Sequence, residues 1–220
     1  MTQESLKSIH FILGTKLGMS QIFDEKGKVV PVTLIHAGPC PVIQIKNKKI
    51  DGYDALQVGF LPKKKINKPM KGHLNKQISR SQAFKYTREF RLSTPLNLKS
   101  QTIIKVNVFQ KGDKVKISGT AKAKGFQGTV KRHNFKGAPA THGTKHAHRQ
   151  PGSIGSTDAA RVFKGRKMAG RMGGKTITVR NIKIVAVQEK ENLLVVKGAV
   201  PGNIKGLLRI VKTELKIPIC

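Results

Sequence analysis

Acidic side chains are scarce in this chain. Only 11 Asp and Glu stand against 43 Lys and Arg in 220 residues, a formal net charge of +32. That imbalance points to a polyanionic partner. It also leaves general acid–base chemistry few candidates, since between Asp113 and Glu189 the only acid is Asp158. Cysteine is scarcer still: Cys40 and Cys220 are the only two. Two isolated cysteines make neither a disulfide framework nor a metal set, and they fit a reducing compartment. No apolar run is long enough to span a bilayer, and no basic amphipathic helix with an aromatic face is legible. Nucleic acid is therefore favoured over an anionic membrane as the partner. The opening MTQESLKSIHFILG has an early acid at Glu4, little Arg and a short apolar run, so neither a secretory signal nor a transit peptide is expected.

What is present concentrates between Thr120 and Lys175. These 56 residues hold thirteen Lys/Arg and one acid, and so carry +12 of the total charge. Ten glycines interrupt them, leaving almost no aliphatic run that could form a core. Ordering a residue costs roughly 1–2 kcal/mol, and with nothing internal to offset that, the stretch is expected to stay extended in water. An array of phosphates would supply the compensation, because each one neutralised by Lys or Arg releases condensed counterions. Glycine lets the backbone approach a sugar–phosphate surface. His133, His142, His146 and His148, with Phe126, Phe135 and Phe163, add planar groups suited to unpaired bases.

Either side of this stretch the pattern is that of short strands. Asp24–Lys28 reads as a hairpin loop and Val29–His36 as a strand, which Pro31 places at an edge or bulge. Ala37–Cys40 is a turn into PVIQIK, a half-buried strand of a small barrel in which Cys40 is a packed small hydrophobe. Residues 61–92, rich in Lys and Arg, read as an inserted subdomain with one or two short helices, from helical spacing around Leu74, Ile78, Phe84 and Tyr86. IIKVNVF, KVKISG, TITVRNIKIVAV, LLVVK and LLRIV read as further strands. The simplest topology is a β-barrel closed by strands from the amino-terminal part and from both flanks of the basic loop, with the loop protruding as a finger. The expected division is a core over 1–60, 101–119 and 176–220, a small α+β insert over 61–100, and the extension over 120–175.

Three motifs argue for chemistry and fail on context. Ala169–Thr176, AGRMGGKT, is similar to a nucleotide-binding P-loop, but a basic stretch precedes it and a strand follows, the reverse of the required strand–loop–helix order. His142, His146 and His148 are spaced within reach of a metal, yet Asp158 is the only carboxylate at hand. PGSIGS lacks the first glycine of a nucleophile elbow, Pro151 standing in its place. The chain reads as a binder and not an enzyme, with no cofactor or metal. A DNA-compacting protein would need an element suited to a major groove, and none is legible.

The residues also carry a family resemblance. LGTKLGMSQIF (13–23), AGPCPV (37–42), GFQGTVKRHNFK (125–136), HRQPGSIG (148–155), RVFKGRKMAGRMGG (161–174) and KGAVPG (197–202) closely resemble the bacterial-type large-subunit ribosomal protein L-three family, in order along nearly the whole chain. The resemblance implies a mainly β fold: a six-stranded, translation-factor-like β-barrel with an inserted α+β part. It further implies a basic extension entering the large-subunit rRNA toward the peptidyl-transferase centre. The barrel would bind near the 3′ domain of that rRNA early in assembly, beside neighbours of the L-fourteen and L-nineteen families. A bacterial cytoplasmic or a plastid ribosome would house it, with no membrane and no homo-oligomer.

By position, 125–136 and 161–175 correspond to the two arms of that extension. The candidate rRNA-binding residues are Lys124, Lys131, Arg132, His133, Lys136, His142, Lys145, His146, His148, Arg149, Arg161, Lys164, Arg166, Lys167, Arg171 and Lys175. The tip near the peptidyl-transferase centre is Gln150, Pro151, Gly152, Ser153, Gly155 and Ser156. Some bacterial members carry a methylated glutamine just after the GSIG turn. Ser156 stands there in this chain and Gln150 is not its equivalent, so that modification is not assigned.

Overall fold

A computed structural model describes residues 9–77, 83–92 and 102–213. The chain forms two compact units, Met1–Thr120 with Thr176–Cys220, and Ala121–Lys175. Among the described residues the first holds ten strands: β1 (Phe11–Phe23), β2 (Val29–Ala37), β3 (Cys40–Lys46), β4 (Ala55–Pro62), β5 (Phe84–Arg91), β6 (Ile103–Ile104), β7 (Lys114–Thr120), β10 (Thr176–Gln188), β11 (Leu193–Lys197) and β12 (Leu207–Lys212). Two short strands of the second unit, β8 (Phe126–Gln127) and β9 (Gly170–Arg171), lie between β7 and β10 in the chain.

Six strands of the first unit pair antiparallel in the order β1-β12-β7-β10-β11-β2, and β2 pairs back onto β1. Period-two alternation builds this closed sheet. In β7, Val115 and Ile117 are buried while Lys114 and Lys116 are exposed; in β12, Leu208 and Ile210 are buried and Arg209 is exposed. A strand reading this way can satisfy only one arrangement, apolar side in and charges out. Pro31, expected to place its strand at an edge or bulge, lies instead on a strand paired on both sides; it is accommodated because the β2–β11 ladder stops at Val32 and only its carbonyl oxygen is used, accepting from Gly198 N–H at 2.8 Å.

The remaining strands form a second sheet, β5-β4-β3-β6. The strand after the Gly38–Pro39 turn, expected in the barrel, is β3 and belongs here: Pro41 pairs with Ile103, and Lys46 with Ala55. Both of its faces find apolar partners, which alternation alone cannot assign to one sheet or another. Residues 61–92 do contain a helix, Lys68–Gln77, which buries Leu74. Phe84 and Tyr86, expected at helical spacing, lie instead on β5, opposite Pro62 and Phe60. The open edge of β4 recruits them, and aromatic residues two apart suit a pleated surface. Ile78 lies outside the described residues, as does Cys220. IIKVNVF, expected as one strand, supplies only the two residues of β6 before Val106–Val108 form a 3-10 turn.

One contiguous apolar cluster draws side chains from both sheets, including Ile12, Leu13, Ile35, Phe60, Ile104, Ile117, Ile184 and Leu194. Burying a side chain of this size contributes roughly 1.5–3 kcal/mol. Phe11 and Phe90 stack with centroids 4.0 Å apart, joining β1 to β5.

Cys40 is fully buried in this cluster, its thiol donating to the Leu13 carbonyl oxygen at 3.6 Å. Burial pushes its pKa up to about 12, opposed in part by that bond. An unfolded thiol ionises at about 8.5. The stability this group contributes is therefore complete below that value and is lost as the pH rises toward about 12. Iodoacetamide at about pH 8.5 is expected to leave Cys40 unmodified in the native protein and to alkylate it in urea, read by peptide mass mapping. Urea midpoints of Cys40→Ala should fall less steeply at alkaline pH than those of the wild type.

Candidate nucleic-acid interface

The second unit lacks a core. Thr129 is its one buried residue among those described from 121 to 175, and Phe126, Ile154, Val162 and Phe163 are exposed. It is nonetheless not the featureless extended chain that its composition suggests. Local backbone bonds give it a defined course.

At its base the two arms are joined as antiparallel partners. Ala121 N–H donates to Lys175 O at 2.9 Å, Lys124 N–H to Met172 O at 2.9 Å, and Met172 N–H to Gly125 O at 2.9 Å. β8 and β9 continue the pairing, Phe126 opposite Arg171 and Gln127 opposite Gly170. This seam requires glycine at one point. Gly173 has φ +73°, and a Cβ there would lie 2.0 Å from the Lys122 carbonyl oxygen.

The short helix Thr129–His133 follows, closed by Asn134 in the left-handed region. It carries Lys131, Arg132 and His133 in one turn. Arg132 reaches across to the other arm and donates to Met168 O at 2.7 Å, with His133 Nε2 3.1 Å from the same oxygen. Farther out, Ala138 N–H donates to His148 O at 3.1 Å. Gly137 sits under that carbonyl at φ +74°, where a Cβ would come within 2.3 Å of the oxygen. Gln150 donates through Nε2 to His146 O at 3.1 Å, and Arg166 donates to Ser153 O. Lys136, Gln150, Pro151, Gly152 and Arg166 thereby border one cavity of about 520 Å³. Arg161 stacks over Phe163, 5.3 Å from the ring centre.

The expected site residues thus fall into groups. Arg132 and His133 meet the second arm at Met168, Lys136 and Arg166 share the cavity beside Gln150–Gly152, and Lys124, Arg171 and Lys175 lie along the seam. Lys145, Arg149, Lys164 and Lys167 are exposed, and His142 adopts φ +60°. His142, His146 and His148 do not converge: among the described residues no three His, Cys, Asp or Glu side chains are placed to hold a metal. Around AGRMGGKT no helix follows; Gly170–Arg171 is strand and Thr176 begins β10.

The electrostatic result is simple. Among the described residues, none of the unit's thirteen Lys and Arg has a salt-bridge partner, while ion pairs elsewhere join Lys46 to Glu89 and Lys212 to Asp113. The arginines that do make bonds make them to backbone carbonyls, which positions the guanidinium without neutralising it. Sequence reading missed these cross-arm bonds, because a carbonyl acceptor leaves no trace in residue type.

A mainly β unit joined to a coreless segment of unneutralised cations defines the class, a basic chain whose chemistry suits a polyanion. Comparison with known proteins narrows this. A family model described as Ribosomal protein L3 matches residues 87–193. The chain is 50% identical over 202 residues to a protein of Natranaerobius thermophilus named Large ribosomal subunit protein uL3, covering 91% of this chain and 95% of that relative. Proteins of the same name from Carboxydothermus hydrogenoformans and Prochlorococcus marinus are 47% and 50% identical, over 93% and 90% of this chain and 97% and 91% of theirs. The chain belongs to the ribosomal protein L3 family.

Proposed function

We propose that this protein is a structural constituent of the large ribosomal subunit that binds its rRNA directly and acts in translation without catalysis of its own. The observation that carries the reading is the second unit: thirteen cations, one acid, one buried side chain and, among the described residues, no ion pair, in a chain of this family. Such a segment is most stable where converging phosphates surround it, so rRNA fixes the course that its backbone bonds outline as the subunit assembles. Lys131, Arg132, Lys136, Arg149, Lys164, Arg166, Lys167 and Arg171 act there as phosphate clamps, and Gln150–Ser156 extends toward the peptidyl-transferase centre. The six-stranded closed sheet acts as a translation-factor-like barrel that docks near the 3′ domain of the rRNA early in assembly. Neighbours of the L-fourteen and L-nineteen families adjoin it, on a bacterial cytoplasmic or plastid ribosome.

Sedimentation tests this reading. Tagged protein expressed in a bacterial host is expected to run with the large subunit and to remain there after a high-salt wash. Release into the free fraction, or association with DNA instead, would overturn it.

A further inference from the structure

β1 outruns β12. Their ladder ends with Thr15 opposite Leu207, and just past it Lys16 meets the β11–β12 connector, donating its N–H to Gly206 O at 3.1 Å and accepting from Lys205 N–H at 2.7 Å. From Gly18 to Phe23 the strand pairs with β2 and, among the described residues, has no backbone partner on its other side. Pro31 shows which groups that free side carries. Its carbonyl oxygen accepts from Gly198 N–H at 2.8 Å and so points away from β1. Pro31 and Gln21 therefore face each other without exchanging ladder bonds, and the bonds fall on Ser20 with Val32 and on Ile22 with Val30. By the same alternation the N–H and C=O groups of Met19, Gln21 and Phe23 all point outward.

The side chains agree with the backbone. Met19, Gln21 and Phe23 share one face of the hairpin with Val29 and Pro31, and Phe23 stands directly opposite Val29. Met19, Phe23 and Val29 are 53%, 71% and 52% exposed, which makes a contiguous apolar ribbon and not a scatter of single residues. Leu17–Phe23, LGMSQIF, holds no charged side chain. A free edge of this kind is ordinarily blunted by Lys, by Pro or by a bulge that twists it away. Here the bulge lies between Lys16 and Gly18, at the foot of the edge, and the strand beyond it runs in regular register to Phe23.

We propose that this edge is a docking site for an extended segment of a neighbouring protein of the large subunit, which adds to β1 as a further strand. The proposal rests on the reading of the chain as a subunit constituent, which leaves the receiving surface and the mode of contact open. Several observations select this occupant. A row in which N–H donors alternate with C=O acceptors is satisfied by another peptide strand, whereas phosphates would answer the donors alone. The lack of any cation from Leu17 to Phe23 also disfavours RNA here, and a charge of +32 on each copy disfavours a second copy of this chain. At the foot of the edge Lys205 is exposed beside exposed Ile204 and has no ion pair among the described residues. The segment that fits alternates apolar residues against Met19 and Phe23 and places an acid near Lys205.

The test uses the full chain in purified large subunits. With Phe23→p-benzoylphenylalanine, irradiation is expected to join the chain to one other subunit protein. Adding Gln21→Pro should lower the yield of that product about 10-fold, as expected for one lost hydrogen bond and a blocked edge. The N–H it removes faces outward, so the β1–β2 ladder keeps its bonds and the thermal midpoint should match the parent. Hydrogen exchange needs no substitution. The amides of Met19, Gln21 and Phe23 should exchange freely in the isolated protein and about 100-fold more slowly in the subunit, while those of Ser20 and Ile22 are protected in both. A product with rRNA alone, a dimer of this chain, an undiminished yield in Gln21→Pro, or equal exchange of the three outward amides in both states would overturn the site. Entry into the subunit without a protein crosslink would sink this site and spare the proposed function, whereas failure of the wild type to enter the subunit would sink both.

Discussion

Replacing Arg166, Lys167 and Arg171 together by Ala is expected to weaken binding to large-subunit rRNA by roughly 100- to 1,000-fold, at about 1–1.5 kcal/mol for each charge-assisted hydrogen bond to phosphate. The salt dependence should flatten by about one for each phosphate no longer neutralised. Assembly of the subunit in cells carrying this variant should be impaired. The first unit should melt as in the wild type, because none of the three residues belongs to its core cluster. Arg166 has a second role, since it also holds the Ser153 carbonyl. Lys167→Ala with Arg171→Ala therefore separates lost charge from a loosened turn: the pair is expected to retain most of the triple's effect on the salt slope. Normal assembly and unchanged affinity in the triple variant would remove the second arm from the rRNA-binding surface.

Phe60→Ala should cost about 3–5 kcal/mol of stability, the largest effect expected of any single truncation in the first unit. Phe60 is 1% exposed and ranks among the largest fully buried side chains. It lies on β4 of the second sheet, yet its ring is 6.3 Å from that of His36 on β2 of the closed sheet. Removing it opens a void where the two sheets meet, and close-packed surroundings refill such a void only in part. The loss should appear as one urea transition moved to lower denaturant, with the slope preserved. Two separate transitions, one for each sheet, would contradict the shared core.

Several elements were legible in the residues and others were not, for identifiable reasons. The hairpin loop Asp24–Lys28 was legible because turn chemistry is local: Asp24 N–H meets Lys28 O and Gly27 N–H meets Asp24 O, within the loop itself. β7 and β12 were legible because one face of each is wet and their alternation survives, whereas in β10 burial alternates only from Ile182 to Ile184. β3 and β5 were misplaced because their partners are distant in sequence, and a strand's sheet membership is a property of its neighbours. The cationic stretch was recognisable as an interface candidate from charge and glycine alone. Its internal order was not, since Arg132 to Met168 and Arg166 to Ser153 are bonds to backbone oxygens that every residue carries.

The outer face of the closed sheet shows the same from the other side. Lys116, Arg180 and Arg209 are ordinary outward-facing residues in three strands, 64 positions apart between the first two. Nothing in their local sequence marks them. The ladder of β12, β7 and β10 places them on one surface, and the bulge near Asn181 brings Arg180 to it.

By itself, then, the order of residues determined where charge accumulates, which segments alternate, and that one stretch of the chain has nothing to bury. These depend on composition and on periods of two, quantities that do not refer to any other part of the molecule. Only the tertiary structure decided which strand lies beside which, which cations stay unpaired, and where separate strands bring them together. Those are outcomes of long-range pairing, selected by the burial of one core shared between two sheets.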